Sequence, residues 1–181
     1  VWRNRDLLKS GDDGVLRRVA RLLEAGDLTL IGVAEVAPGL LVGAGAQGAV
    51  APSDAALQDM AVGLAAARAH GRRDLGQGVV VRDSAIVARE AVDGTDAMLA
   101  RLADGSAAGG VLVKCLKPQQ DLRLDLPAIG PGTVAGARVA GLAGIAVEAG
   151  TTLIADRAAT LAAADASGLF IHGVAGTGGA A

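Results

Sequence analysis

Aromatic side chains are almost missing from this chain: Trp2 and Phe170 are its only large rings among 181 residues, and it has no Tyr. A core without rings must be filled by Ala, Val, Leu and Ile, so helices and strands have to approach closely through small side chains. With 51% hydrophobic residues, the chain can build one good core or two small ones, and it is far from a disordered tail. The 27 glycines follow no G-X-Y period and only five prolines accompany them, which excludes a collagen-like rod. The shortage of rings also argues against bases stacked on an aromatic sheet. A net charge of −2 offers no single-signed field to a phosphate backbone, so nucleic acid is not an expected partner.

Cys115 is the single cysteine and lies in the apolar run 110–116, so an intrachain disulfide is excluded. The two histidines, His70 and His172, are far apart and have no metal-ligand spacing. Both features fit a reducing compartment. No apolar run reaches the length of a membrane span. Residues 1–6 carry neither an initiator Met nor a signal-peptide core, and the expectation is that they lie inside a longer protein.

Along the chain, Ser10-Gly11-Asp12-Asp13 precedes Val15, Leu16, Val19, Leu22 and Leu23, which predicts a capped helix ending at Gly26. Arg17, Arg21 and Glu24 read as its solvated face. A strand is expected over 28–34, then a patternless Gly- and Ala-rich linker. Pro52-Ser53-Asp54 opens a helix running to His70-Gly71. A hairpin turning at Asp83-Ser84 follows, then a helix from Asp96, a strand from Val111, a helix from Gly130-Pro131, two short strands around Gly150, a helix over 157–166 and a last strand at 169–171. This alternation predicts a mixed α/β layer structure. The expected division is 1–45 as the end of one domain, 46–53 as a linker and 54–176 as a complete α/β domain.

Chemistry is expected in the loop leaving the strand at 111–116, because active sites of α/β folds gather where strand ends and loops converge. In an extended chain Asp121, Arg123 and Asp125 would point to one side, with Leu122, Leu124 and Leu126 behind them. Two carboxylates with Lys117 and Arg123 nearby could hold a divalent ion and a phosphate oxygen together. The competing reading is an edge strand whose one polar face is salt-bridged to itself. Gly94-Thr95-Asp96 forms a second candidate, since Gly94 permits a tight turn and Thr95 and Asp96 open a helix whose free N–H groups can receive an anion.

Four runs, 76–81, 90–98 (EAVDGTDAM), 110–130 (GVLVKCLKPQQDLRLDLPAIG) and 141–149 (GLAGIAVEA), resemble the LpxI-type UDP-2,3-diacylglucosamine pyrophosphatase family of Gram-negative lipid A biosynthesis. The resemblance covers almost the whole chain. It implies a truncated Rossmann-like portion at 1–45, in which residues 7–13 are the approach to that domain's last helix, followed by the family's mixed-sheet carboxyl-terminal catalytic domain. It implies hydrolysis of UDP-2,3-diacylglucosamine to UMP and 2,3-diacylglucosamine 1-phosphate (lipid X) with a divalent ion, Mg²⁺, in a cleft between two domains. It further implies an essential aspartate that is either Asp121 or Asp125; joined to the charge pattern, the expectation is that both are metal ligands and that Lys117, Gln120, Arg123, Gly94, Thr95 and Asp96 bind substrate. A cytoplasmic enzyme touching the inner membrane face transiently, and a homodimer, are the accompanying expectations. Asp93, Ala128, Thr151 and Cys115 depart from the family pattern, which expects Glu, Thr, Arg and a small apolar residue there. Three other readings share these loops: a non-catalytic nucleotide-sugar module without a metal, an inactive fragment, and a different phosphoesterase.

Overall fold

The computed structural model describes residues 12–176. Helix α1 spans Asp12–Glu24, and one helical turn, α2, spans Val33–Val36. The rest runs β1 (Gly45–Ala46), α3 (Asp54–Gly71), β2 (Gly78–Arg82), β3 (Ala85–Arg89), α4 (Gly94–Arg101), β4 (Val111–Lys114), β5 (Ala128–Ile129), α5 (Pro131–Val139), β6 (Gly144–Glu148), β7 (Leu153–Ile154), α6 (Arg157–Ala166) and β8 (Phe170–Val174). The fold is α/β, as the alternation of elements predicts.

Among the described residues the main sheet has six strands in the order β1-β8-β6-β4-β2-β3. Strands β4, β6 and β8 are mutually parallel, while β2 runs antiparallel to both β3 and β4, and β1 antiparallel to β8. The two-residue alternation of a strand sorts its apolar residues into two layers. Val79, Val81, Val111, Val113, Ala146 and Phe170 pack with Ala56, Met60, Leu64 and Ala67 of α3. Val80, Leu112, Ile145, Val147 and Ile171 pack with Met98 and Leu99 of α4, Val134 and Ala137 of α5, and Ala164 of α6. Alanines on three helices let them sit close to the sheet, which is how this core does without rings.

Ser53 caps α3 as the sequence predicts, its hydroxyl accepting from Ala56 N at 3.2 Å. The cap expected from Ser10 and Gly11 lies outside the described residues. Three expectations need correction. Residues 28–32 form no strand; Leu28 and Ile31 are exposed. A strand must find partners for its backbone groups, and the two edges of the sheet are taken by β1 and β3. The first part of the expected linker is structured: Ala46 pairs with His172, and Gln47 N donates to Ile171 O at 2.9 Å. These pairings cover the open edge of β8, and just ahead of them Val42 is 1% exposed within the main core.

The third correction concerns 121–125. The segment is not extended but folded into a turn, with Leu124 N and Asp125 N both donating to Asp121 O, at 2.9 and 3.1 Å. Asp121 and Asp125 therefore do not share a side in the way a strand would impose.

Candidate functional site

The carboxyl ends of β3 and β4 lie at the same edge of the sheet, because each is antiparallel to β2. Beyond β3 the chain turns through Gly94, at φ +84°, directly into α4. Beyond β4 it enters the loop 115–127. Both candidate segments thus arrive at one edge, the usual place for ligands in open α/β sheets.

A cavity of about 410 Å³ lies there, lined by Asp74, Gly76, Gln77, Glu90, Gly94, Lys117, Gln120 and Asp125, among others. Gln120 organises its loop side: Lys117 N donates to Gln120 Oε1 at 2.9 Å, and Gln120 Nε2 donates to Asp125 Oδ2 at 2.6 Å. Lys117 Nζ reaches Asp74 Oδ1 at 2.9 Å. On the opposite wall the buried Glu90 accepts from Thr95 Oγ1 at 2.7 Å, and His70 Nε2 contacts the Glu90 backbone oxygen.

Gly94 also borders a second cavity of about 320 Å³, lined by Asp93, Thr95, Asp96, Lys114, Ala128 and Thr133. The start of α4 is therefore open to the space that holds Lys117, Gln120 and Asp125. The helix begins at Gly94, two residues before the expected start at Asp96. Thr95 does not cap it, because its hydroxyl is given to Glu90.

Asp121 and Arg123 lie elsewhere, in a cavity of about 340 Å³ against α1, with Arg17, Arg21 and Glu24. The Arg123 guanidinium forks onto Asp121 at 3.0 and 2.7 Å and onto Glu24 at 2.7 Å. This pairing holds the Asp121 carboxyl down at about 2 and pushes the Arg123 guanidinium up. Arg17 Nη1 donates to Gln119 O at 3.1 Å. Arg17 and Glu24 are thus contacts of the loop and not a purely solvated face, a correction that follows from the loop folding back under α1. The reading of 121–125 as self-salt-bridged holds for Asp121 and Arg123 alone.

Lys114 and Glu90 fall inside the two candidate segments but received no role from the sequence, and Asp74 and Gln77 were not singled out as site residues. A lysine closing an otherwise apolar strand was the available signal for Lys114. The others become visible only once β3, α3 and the loop are folded together.

The carboxylates can also be tested for a metal. Among the described residues no three of His, Cys, Asp and Glu are grouped to hold an ion by themselves. Asp121 is committed to Arg123, whereas Asp125 faces the larger cavity with Glu90. Mg²⁺ commonly takes one or two carboxylates and completes its shell with phosphates and water. The donor set fits that mode and does not form a protein cage.

Comparison with known proteins identifies the family. A family model described as the LpxI C-terminal domain matches residues 43–172. The chain is 45% identical over 174 residues to a protein of Caulobacter vibrioides described as UDP-2,3-diacylglucosamine pyrophosphatase LpxI. The match covers 92% of this chain and 62% of that relative, so the chain spans less than two thirds of the relative's length.

Proposed function

This chain belongs to the LpxI family, and from that premise we propose that it hydrolyses the pyrophosphate bond of UDP-2,3-diacylglucosamine to UMP and 2,3-diacylglucosamine 1-phosphate. The observation that carries the reading is the gathering of Lys117, Gln120, Asp125 and the start of α4 around one cavity at the carboxyl edge of the sheet. In the same reading, the described residues up to Leu40 are the end of a Rossmann-like domain that forms the other wall of the cleft, whereas Val42 and Gly45–Ala46 belong to the core and sheet of the carboxyl-terminal domain.

The reaction adds water to one phosphorus. A new P–O bond forms, the bridging P–O bond breaks, and its electron pair leaves on the oxygen of the departing phosphate. Lys117 supplies positive charge to non-bridging oxygens, and N–H groups at the start of α4 add donors. Asp125 orients the water or the cation opposite these donors, and Gln120 holds it in place. Asp121 holds Arg123 toward α1, where the pair would meet substrate from the second wall. Mg²⁺, held by Asp125 and the substrate's phosphates, would neutralise charge on the pyrophosphate. Two acyl chains on the substrate bring the protein into transient contact with the inner face of the membrane. No described helix is long and apolar enough to cross it.

The test is UMP release from the lipid nucleotide by the full-length protein, with Mg²⁺ and after chelation. Mg²⁺-dependent release is the expected result. Substrate binding without any release would overturn the reading in favour of a non-catalytic nucleotide-sugar module.

A further inference from the structure

Lys114 is the last residue of β4, and it is 5% exposed. An ammonium taken out of water needs strong partners, because desolvation costs several kcal/mol in typical proteins. Among the described residues Nζ makes a single hydrogen bond, to Ala128 O, at a long 3.3 Å. Among the described residues no carboxylate lies within 4 Å of it. A lysine carries three donors, so two N–H bonds have no acceptor among the described residues. Burial pushes its pKa down, and the nearby charges of Glu90 and Asp96 oppose that.

The surroundings bring negative charge near Lys114 without pairing it directly. Glu90 is buried beside it, and a Cβ on Gly78 would fall 2.6 Å from Glu90 Oε2 and 3.5 Å from Lys114 Cγ. The absent side chain at Gly78 is what lets the carboxylate and the lysine stem share that space. Glu90 accepts from Thr95 and makes no ion pair within 4 Å of the ammonium, so it contributes field without a direct contact. Lys114 lines the cavity of about 320 Å³ into which α4 and α5 both direct their first turns, through Gly94, Thr95 and Asp96 on one side and Thr133 on the other. Helix starts carry partial positive charge and favour anions.

We propose that Lys114 is a phosphoryl-binding residue: its buried ammonium, with the starts of α4 and α5, forms a subsite for one phosphate of a pyrophosphate or phosphomonoester, next to the cavity of Lys117 and Asp125. The ligand class rests on the pyrophosphatase reading. The position of the subsite rests on the geometry of Lys114. Two sources carry the same chemistry, the nucleotide phosphate and the sugar 1-phosphate.

The experiment is titration calorimetry on the full-length protein with inorganic pyrophosphate, UMP and glucosamine 1-phosphate, with and without Mg²⁺. Lys114→Met keeps the length and apolar stem and removes the charge. It should weaken pyrophosphate binding at least 10-fold, and Lys114→Arg should restore part of it. Whichever of UMP and glucosamine 1-phosphate loses affinity with pyrophosphate identifies the source. Ala128→Glu places a carboxylate from an exposed position beside the ammonium and should abolish binding, with an unchanged melt. It decides the matter if Lys114→Met fails to fold. Wild-type affinity in a folded Lys114→Met, or in Ala128→Glu, overturns the subsite. So does a wild-type protein that releases UMP but binds none of the three probes, a result that leaves the hydrolase reading intact. Lys114-dependent pyrophosphate binding without UMP release keeps the subsite and rejects the hydrolase.

Discussion

Replacing Asp121 by Asn separates a small structural effect from a large catalytic one. The carboxylate accepts twice from Arg123, at 3.0 and 2.7 Å, and its pKa sits at about 2. The unfolded value is about 3.9, and a shift of about two units in a sealed site would be worth roughly 2.6 kcal/mol. The Asp121 side chain is 25% exposed and that of Arg123 is 39% exposed, so water and salt screen the pair. Exposed pairs contribute about 0.2–1 kcal/mol, and about 0.5–1 is expected here at pH 7. Because the folded pKa is depressed, this stability is fully present above about pH 4 and is lost as the pH falls toward 2. Urea melts of wild type and Asp121→Asn should therefore differ by about 0.5–1 kcal/mol at pH 7 and converge near pH 2. At pH 7 the shift in Tm should be no more than about 4 °C. A gap that is independent of pH, or larger than about 2 kcal/mol, would refute the reasoning. UMP release by the same variant should fall on the order of 10²-fold, about 2.7 kcal/mol in barrier. A stability loss this small leaves the protein folded and cannot account for such a fall.

Asp125→Asn should also lower UMP release on the order of 10²-fold, with a melt within a few degrees of wild type; near wild-type turnover in both aspartate variants would place the chemistry elsewhere, with Asp96 next to be tried. Leu112→Ala removes a fully buried side chain from the middle of β4 and should cost about 2–5 kcal/mol by urea unfolding; a cost below about 1 kcal/mol would contradict its place in the core. Burial and Glu148 push the Cys115 thiol up to about 12, so iodoacetamide at pH 8 should label it only in denaturant. Rapid labelling of the native protein would show that strand end to be open.

The elements were legible where local rules decide them. Ser53 ahead of an apolar stripe capped a helix, Asp83-Ser84 turned a hairpin, and Pro131 opened α5, because caps, turns and proline act within a few residues. The conspicuous motif runs meet at one edge of the sheet for a related reason: each is contiguous in sequence and leaves one of two strand ends on the same side.

What neighbours decide was not legible. An apolar run at 28–34 has the composition of a strand, but a strand exists only where a partner edge is open, and that edge went to Gly45–Ala46. Alternation across 121–125 describes an extended chain, yet hydrogen bonds to Asp121 O closed it into a turn and sent Asp121 and Asp125 into different cavities. Lys114, Glu90 and Thr95 span twenty-odd residues of sequence and meet because β2 places β3 and β4 on its two sides. Periodicity records which face of an element is apolar. Which charged groups end up together depends on strand order, and only the packed sheet settles that.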